Sequence, residues 1–449
     1  MQFHSTSIDS IAISNPKLYK DPKSSKESRI FPYYAGYSSE FSNNLLSTLG
    51  LSQNSIIFDP WNGSGTTTRS AFTNGFDSIG FDLNPSMVLV AKARLLSPLE
   101  HPSLVAIAKS LVEQARIHSS YNGNTNSLLD PLDPLDPLLK WFPACSATPI
   151  RNLESKINNL LVSNETYVKL DNNLAMNLVS PLAAFFYVSL FRTVRKLLID
   201  FIPSNPTWVK NPKTKFNRKR PSLDSIFTAF IEEVKILISR ESSFETTSRD
   251  SESSITLRIG NAENITLHDN SVDAIISSPP YCTRIDYAVS TTIELAVIRC
   301  EQMEFDLLRR GLTGTSTVER TAPSVDGGWG KTCVNFLDAL YNHPSKASKG
   351  YYFKNHLQYF ASLSRSLSEI SRVLKPGKLC VLVSQDSYYK EVHNDVPTIT
   401  SEMAIAFGLK IVRREDFKTS RSMVGVNLKS KKYLNSRNTT ESVLCFQKL

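Results

Sequence analysis

Two glycines close to an aspartate carry the first chemical signal in this chain. The stretch Asp59-Pro60-Trp61-Asn62-Gly63-Ser64-Gly65-Thr66-Thr67 follows a short apolar run and precedes a helical pattern. Glycines at such a turn let a ligand approach the backbone closely, and the helix start behind them presents free N–H groups. About twenty residues further on, Asp82 ends the next apolar run, where a carboxylate can accept hydrogen bonds from both hydroxyls of a ribose. These residues predict a site for a nucleoside-containing cofactor.

Two sequence features that are missing from the loop argue against particular classes of cofactor. Thr68 stands where a dinucleotide site would carry its third glycine, which disfavours NAD. No Gly-Lys-Ser/Thr follows the glycines, so the loop is not a phosphate-binding P-loop.

A second stretch, Ser278-Pro279-Pro280-Tyr281, directly follows the apolar run from Val272 to Ser277. Prolines fix the backbone and keep its carbonyls out of strand pairing. A rigid turn with hydroxyl and carbonyl acceptors beside an aromatic ring suits a flat base with an exocyclic amine. The plain alternative is a proline-terminated strand with a core Tyr, and the presence of the first stretch makes that alternative the weaker one.

The elements that must position these residues follow an α/β pattern. Apolar runs at 56–58, 78–81, 255–259, 272–277 and 379–383 alternate with helical periodicity, and 409–413 and 442–446 predict a final strand pair. This alternation predicts one doubly wound α/β sheet, interrupted from about residue 97 to residue 255. We divide the chain into a flexible arm (1–30), a cofactor-binding half (31–97), a helical insertion (98–254) and a catalytic half (255–449).

Several local signals give sharper expectations. Proline at every third position of residues 130–138 predicts an extended linker. A helix is expected from Leu182 to Ile202, with Ser180 as its N-cap, and another from Tyr359 to Leu374 that stops at Lys375-Pro376-Gly377. A Thr or Ser is expected to cap the helix that begins at Thr66. The Gly/Ser/Thr-rich residues 311–330 predict a mobile loop over the substrate or a disordered one.

The composition and charge of the chain argue against several classes of function. The chain has 449 residues and a formal charge of +9, which fits a polyanionic partner weakly. It has no apolar run long enough to span a membrane and no secretory signal at its start. Six scattered cysteines without a CxxC pair argue against a disulfide scaffold and a Cys-based zinc site, and seven histidines show no ligand spacing, so no metal is expected.

The two motifs together resemble the amino-group DNA methyltransferases, which use S-adenosyl-L-methionine to methylate cytosine N4 or adenine N6. The family's cofactor motif is similar to residues 59–66, and its catalytic tetrapeptide is similar to Ser278-Pro279-Pro280-Tyr281. Residues 31–49 resemble its N-terminal helix, 80–85 its ribose-binding turn and 373–377 the helix end before its fifth strand. At Gly260-Asn261-Ala262, Asn261 replaces the acid that the family places against the adenine amine. The insertion precedes that tripeptide, whereas the family's recognition domain follows it.

The resemblance implies a Rossmann-like class I methyltransferase sheet of about seven strands, closed by an antiparallel hairpin. It implies direct transfer of the methyl group to the amine of a base flipped out of duplex DNA, with Ser278 and the Pro279 carbonyl holding the amine and Tyr281 stacking on the base. The serine favours cytosine N4, with adenine N6 second. Cys282, which follows Tyr281, is expected to be a bystander. The implied cofactor residues are Tyr34, Asp59, Pro60, Trp61, Gly63, Gly65, Thr66, Thr67, Asp82, Leu83, Asn84, Asn261 and Ala262.

DNA is the partner that the resemblance implies, with 98–254 as the candidate recognition region. The candidate nucleic-acid-binding residues are Lys210, Lys213, Lys215, Arg218, Lys219, Arg220, Arg284 and Asp286. The basic stretch 210–220 is equally compatible with a solvated loop. Arg284 and Asp286 could equally well form an ion pair with each other. Residues 418–437 form a second basic candidate. The resemblance also suggests a cytoplasmic protein of a prokaryotic host, with restriction or defence components as candidate partners; it leaves the oligomeric state open.

Two other classes of function remain as alternatives. One is an RNA or tRNA base methyltransferase, since similar Pro-Pro-Tyr sites modify RNA amines; no obvious RNA-binding domain precedes residue 31. The other is a non-catalytic nucleic-acid-binding module that keeps the fold. The intact motif residues argue against loss of activity.

Overall fold

The computed structural model describes most of the chain with its side chains. The described residues are 10–17, 30–31, 36–121, 132–163, 166–203, 208–241, 253–282, 285–321, 323–419 and 439–449, and the side chains of 118–121, 241 and 419 are left aside.

A seven-stranded sheet with the order β3-β2-β1-β4-β5-β9-β8 forms the centre of the described residues. The first five strands in that order are parallel, and β9 runs antiparallel to both β5 and β8. The strands are β1 (Ile56–Asp59), β2 (Asp77–Asp82), β3 (Ile255–Ile259), β4 (Val272–Ser277), β5 (Leu374–Gln385), β8 (Leu409–Thr419) and β9 (Thr439–Lys448), and a separate hairpin joins β6 (Ser387–Tyr389) to β7 (Val392–Asn394). This confirms the predicted fold class.

The two faces of the sheet are buried in separate cores because successive strand residues point to opposite sides. On one face, Ile57 and Ala274 pack with Phe41 and Leu45 of helix α1 (Ser39–Thr48). On the other, Phe58 and Ile275 belong to a core with three helices of the catalytic half. Those helices are α12 (Lys331–Asn342), α13 (Phe353–Val373) and α14 (Val396–Ala406). Burial on both faces explains why these strands read as continuous apolar runs.

The cofactor-binding half contains two helices that follow β1 and β2. They are α2 (Thr66–Thr73) and α3 (Pro85–Ala93). Helix α2 has Gly65 as its N-cap, with φ 80° and no side-chain cap bond, so the expected Thr or Ser cap is wrong. Helix α3 is capped by Asn84, whose side chain accepts a hydrogen bond from Ser86 N.

The described part of the insertion is helical. Its α-helices are α4 (His101–Tyr121), α5 (Ala144–Asn158), α6 (Asn173–Leu178), α7 (Pro181–Leu197) and α8 (Leu223–Glu241). Their apolar side chains share one core with α3, so the insertion packs directly onto the cofactor-binding half. The predicted apolar helix corresponds to α7, and Ser180 is its N-cap. It ends earlier than expected, before a short 3₁₀ turn at Ile199–Phe201.

The charges that interrupt α7 join it to its neighbours. Arg195 lies 2.7 Å from Glu294, which is fully buried in α10 (Thr292–Val297). Arg192 lies 2.8 Å from Glu233 of α8. Paired in this way, the charges can sit inside a helical core. Two more helices, α9 (Tyr287–Ser290) and α11 (Gln302–Gly311), flank α10.

Four expectations about local structure need correction. The described part of the predicted linker contains a 3₁₀ turn at Pro137–Lys140, because Asp136 caps it and pairs with Arg151 at 2.6 Å. The predicted stop at 375–377 lies within β5, although the helix before it does end, at Val373. Residues 311–321 are held against α13 by bonds such as Asn355 Nδ2 to Thr315 O at 2.7 Å. Residues 10–17, expected in a flexible arm, are packed against α1, and Ile11 is buried.

Candidate active site

The candidate site is a cleft at the carboxyl ends of the parallel strands. β1 and β4 are neighbours there, and the strand order reverses between them, which is where doubly wound sheets bind ligands. Most residues predicted from the two motifs line this cleft. They are Asp59, Pro60, Trp61, Thr66, Thr67, Asp82, Leu83, Asn84, Asn261, Ala262, Ser278 and Pro280.

The glycine loop between β1 and α2 adopts backbone conformations that favour glycine. Gly63 has φ 49° and Gly65 has φ 80°. A Cβ added to Gly65 would lie 2.9 Å from the Cβ of Ala91, so α3 packs directly against this turn. Gly63 directs its N–H toward the carboxylate of Asp82, at 3.0 Å. The two glycines therefore shape the loop and connect it to β2.

Asp82 borders the cleft at the end of β2. Its two oxygens accept hydrogen bonds from Asn84 N at 2.8 Å and from Gly63 N at 3.0 Å. Burial raises the pKa of Asp82 to about 7, because desolvation outweighs these two bonds. Each oxygen keeps further acceptor capacity, so this carboxylate can accept the ribose hydroxyls that the sequence predicts.

Asp59 lies at the end of β1 and connects three elements. Its carboxylate accepts hydrogen bonds from Thr67 Oγ1 at 2.6 Å, from Trp61 N at 3.1 Å, and from the Ser277 hydroxyl. Burial raises the pKa of Asp59 to about 6. Its side chain thereby fixes the glycine loop to β4, which ends at the catalytic turn.

The ribose-side wall depends on two close approaches to glycine. A Cβ at Gly260 would lie 2.5 Å from the ring of Phe81, and one at Gly80 would lie 2.5 Å from the side chain of Asn62. Asn261 follows Gly260 into the cleft, where its Oδ1 accepts the Glu263 N–H at 2.9 Å. The side chain that replaces the family's acid therefore already has a partner.

The predicted catalytic turn, residues 278–281, lies at the end of β4, and Ser278 and Pro280 line the cleft there. Ser278 Oγ donates to Val383 O at 3.0 Å, so its hydrogen is used and its lone pairs remain as acceptors. The Pro280 carbonyl accepts a bond from Tyr359 OH at 2.9 Å. Tyr281 N donates to Tyr287 OH at 3.3 Å, which fixes the aromatic end of the turn. Tyr281 lies next to the cleft and does not line it, and the same holds for Pro279.

Sequence reasoning missed Tyr37, a buried tyrosine of the cleft wall. It donates to Ile276 O at 3.2 Å and bonds the Thr67 hydroxyl. The proposed cofactor residue in this region, Tyr34, lies outside the described residues. The resemblance at residues 31–49 covers Tyr37 as well as Tyr34, but it did not distinguish one tyrosine from the other.

Asp286, a candidate nucleic-acid-binding residue, is buried. Its carboxylate caps α9 through Val289 N at 3.1 Å, and it bonds Arg309 at 2.8 Å and Ser316 at 2.6 Å. Among the described residues its ion-pair partner is thus Arg309. Arg284 lies outside the described residues.

The basic stretch 208–220 lies on the insertion and does not line the cleft. Its backbone is fixed to Trp141, whose Nε1 donates to Lys210 O at 3.0 Å and whose carbonyl accepts Lys219 N at 2.9 Å. Lys219 pairs with Asp200. For Lys213, Lys215, Arg218 and Arg220 the described residues contain no ion-pair partner. Most of residues 418–437 fall outside the described part of the chain.

Within the described ranges, no group of three or more His, Cys, Asp or Glu side chains is arranged to hold a metal ion. None of the helices described combines the length and the apolar character needed to cross a membrane.

Comparison with known proteins adds an independent line of support. No family model matches the chain. The type II methyltransferase M.BsoBI of Geobacillus stearothermophilus is 23% identical over 422 residues, which cover 85% of this chain and 78% of that protein. M.AvaI, from Nostoc and from Anabaena variabilis, is 26% identical over 152 residues, 31% of each chain. A solved methyltransferase from Methanosarcina mazei covers 89% of this chain and 94% of its own, with 10% identity and a TM-score of 0.30.

The chain therefore resembles type II methyltransferases over most of its length. This similarity supports a methyltransferase, and the cofactor that it implies is S-adenosyl-L-methionine.

Proposed function

We propose that this protein methylates an exocyclic amine of a DNA base, with cytosine N4 favoured and adenine N6 as the alternative. The observation that carries the proposal is the hydrogen bond that the Ser278 hydroxyl donates on the rim of the cleft. Its hydrogen is donated to Val383 O, so it can only accept from a ligand. An exocyclic amine offers hydrogens and needs such acceptors.

A second acceptor comes from the prolines. Tyr359 already donates to the Pro280 carbonyl, while no described hydrogen bond reaches the Pro279 carbonyl. Ser278 and Pro279 are thus the pair best suited to hold the two hydrogens of the amine. Acceptors at those hydrogens also direct the nitrogen lone pair away from them, so much of the catalysis is positioning.

The cleft fits S-adenosyl-L-methionine on the observations already described. Asp82 would hold the ribose hydroxyls, and Gly260, whose backbone packs against the ring of Phe81, lines the cleft beside it. When bound, the cofactor supplies a methyl group on a positively charged sulfur, which an uncharged amine can accept directly. Three of the acceptor sites of Asp59 are already used by donors of the protein, against two in Asp82, which favours a supporting role for Asp59 in the loop.

DNA as the substrate is supported by the relatives and by the surface of the insertion. M.BsoBI and M.AvaI are named as type II methyltransferases. Lys213 and Lys215 precede Phe216 in an exposed stretch, and Phe216 is 88% exposed. Cations around an exposed ring suit contact with phosphates and bases. A base inside a duplex cannot reach the cleft, so the proposal includes base flipping.

The test is a product analysis with labelled S-adenosylmethionine and unmodified DNA and RNA in parallel. Products are digested to nucleosides and identified by mass. N4-methylcytosine from DNA supports the favoured form, and N6-methyladenine keeps the site but changes the base. Label found only in RNA would mean that RNA, and not DNA, is the substrate. Cofactor binding without any product would favour a binding module.

Two substitutions test the site itself. We expect Ser278→Ala and Tyr281→Ala to abolish turnover while cofactor binding, measured by calorimetry, stays close to that of the wild type. Full activity in both variants would refute the assignment of this turn.

A further inference from the structure

Lys17, in the described segment 10–17, lies between the wall of the cleft and the catalytic turn. Its ammonium donates to Tyr281 OH at 2.9 Å and to the carbonyl of Gly36, which lines the cleft. It also lies 3.4 Å from Glu441 Oε1. One side chain near the start of the chain thus contacts both functional parts of the site.

Glu441 of β9 completes this cluster. Its side chain is 1% exposed, and its Oε1 accepts a weak bond from Tyr281 OH at 3.4 Å. Its second oxygen is buried and has no hydrogen-bond partner among the described residues. A buried carboxylate with an unsatisfied oxygen costs stability, and a hydrophobic residue would fill the same strand position at no such cost. The position therefore needs an explanation other than folding.

The backbone that delivers Lys17 is fixed at several points. Pro16 O accepts Ser38 N at 2.9 Å, Ala12 N donates to Thr48 Oγ1 at 2.9 Å, and Ile11 O accepts Arg413 Nη1 at 2.9 Å. These bonds hold the backbone next to Lys17 against α1 and β8, so the position of Lys17 is set by the fold.

We propose that Lys17 and Glu441 are positioning residues that hold the Tyr281 ring as the platform for the target base. This inference rests on the proposed function, because it takes Tyr281 as the residue that meets the base. The ring is held at both ends: Tyr287 fixes the Tyr281 backbone, and the Lys17–Glu441 pair fixes the phenol oxygen. A ring held in this way loses little freedom when a base stacks on it.

The test uses the full chain with Lys17→Met, Lys17→Arg and Glu441→Gln, and Lys410→Met as a matched control. Lys410 is an exposed lysine of β8. We expect Lys17→Met to lower kcat on unmodified DNA by about 10- to 100-fold, the range for a lost charge-assisted hydrogen bond. KM for the cofactor should change less than about twofold by the same reasoning, since the Lys17 side-chain bonds within the described residues go to Tyr281, Glu441 and the Gly36 carbonyl. Lys17→Arg, which keeps the donors, should recover most of the loss.

A spectroscopic readout separates this inference from the proposed function. 3-Fluorotyrosine placed at position 281 should give a ¹⁹F signal that shifts in Lys17→Met and Glu441→Gln and stays unchanged in Lys410→Met. If the wild type methylates nothing, the proposed function fails, and the ¹⁹F signal alone decides whether the ring is held. An unchanged signal, or full turnover in a folded Lys17→Met protein, overturns the inference.

Discussion

Replacing Asp82 by asparagine should weaken cofactor binding strongly and remove the part of its pH dependence that comes from Asp82. The carboxylate borders the cleft and accepts bonds from Gly63 N and Asn84 N. Asparagine offers one acceptor oxygen in place of two, so its NH₂ group would face one of these N–H donors. The variant therefore loses the negative charge, one acceptor for the ribose, and part of the support for the loop.

The magnitude follows from the bonds involved. Losing one charge-assisted hydrogen bond costs about 1.5–3 kcal/mol, which corresponds to about 10- to 150-fold weaker binding. The pKa of Asp82 is raised to about 7, and the ionised form is the better acceptor for hydroxyls. Wild-type affinity should therefore rise with pH, by about tenfold between pH 6 and pH 8. Asp59 titrates in both proteins, with a pKa of about 6, so the difference between them isolates Asp82.

The assay is calorimetric titration with S-adenosylmethionine at several pH values. Asp77→Asn provides the control, because Asp77 lies at the other end of β2 and accepts two bonds from Ser254, at 2.7 and 2.8 Å. We expect Asp77→Asn to bind the cofactor as the wild type does, with the same pH profile. Equal affinity in Asp82→Asn, or an equal loss in Asp77→Asn, would refute the reasoning.

Three other predictions concern stability and DNA binding. Gly65→Ala should lower the free energy of unfolding by about 1–3 kcal/mol, because φ at this position is 80° and the added Cβ would crowd Ala91. Urea titration measures this free energy, and an unchanged midpoint would contradict the prediction. In the cofactor-free protein, Asp59 should lower the free energy of unfolding by up to about 3 kcal/mol as pH rises from about 4 through 6, because burial raises its pKa from 3.8 to about 6 and ionisation then opposes folding. Asp82 adds a loss of the same sign, since its pKa is raised to about 7. The fall in stability between pH 4.5 and pH 7.5, measured by urea titration, should therefore be smaller in Asp59→Asn than in the wild type, and an equal fall would count against this. Replacing Lys213 and Lys215 together by glutamine should reduce the slope of log affinity for DNA against log salt by up to about 2 in filter binding, whereas an unchanged slope would place the DNA elsewhere.

The fold could be predicted as far as it depends on local patterns. Strands 255–259 and 272–277 were predicted with the bounds that the structure has, and the apolar run of 272–277 reflects its burial on both faces. The stop at Lys375-Pro376-Gly377 was misplaced because those residues lie within β5, whose pairing shifts register between Val272 and Ala274. A long-range pairing of this kind leaves no signal in the residues themselves. The hairpin of β6 and β7, with three-residue strands, was too short to be predicted.

Sequence reasoning predicted those parts of the candidate site in which one motif supplies several neighbouring residues. The cofactor loop and Ser278 line one cleft because three strands end at the same edge of the sheet. What sequence reasoning could not supply is the set of contacts between distant parts of the chain. Lys17 and Glu441 meet at Tyr281, yet nothing in the sequence near either residue indicates it. Asp286 was a nucleic-acid-binding candidate, and only the structure reveals Arg309 as its partner.

The position of the insertion also has a consequence for synthesis on the ribosome. β1 has its central partner in β4, and the two are separated by a long stretch of chain: Ile56 N bonds Asp273 Oδ2 at 3.1 Å across 217 residues. At about 5–20 residues per second, translation of that stretch takes about 10 to 40 s. During this interval the nascent cofactor half carries an uncovered apolar strand edge. The insertion, which packs on α3, emerges in the same interval and can shield that half before the sheet closes.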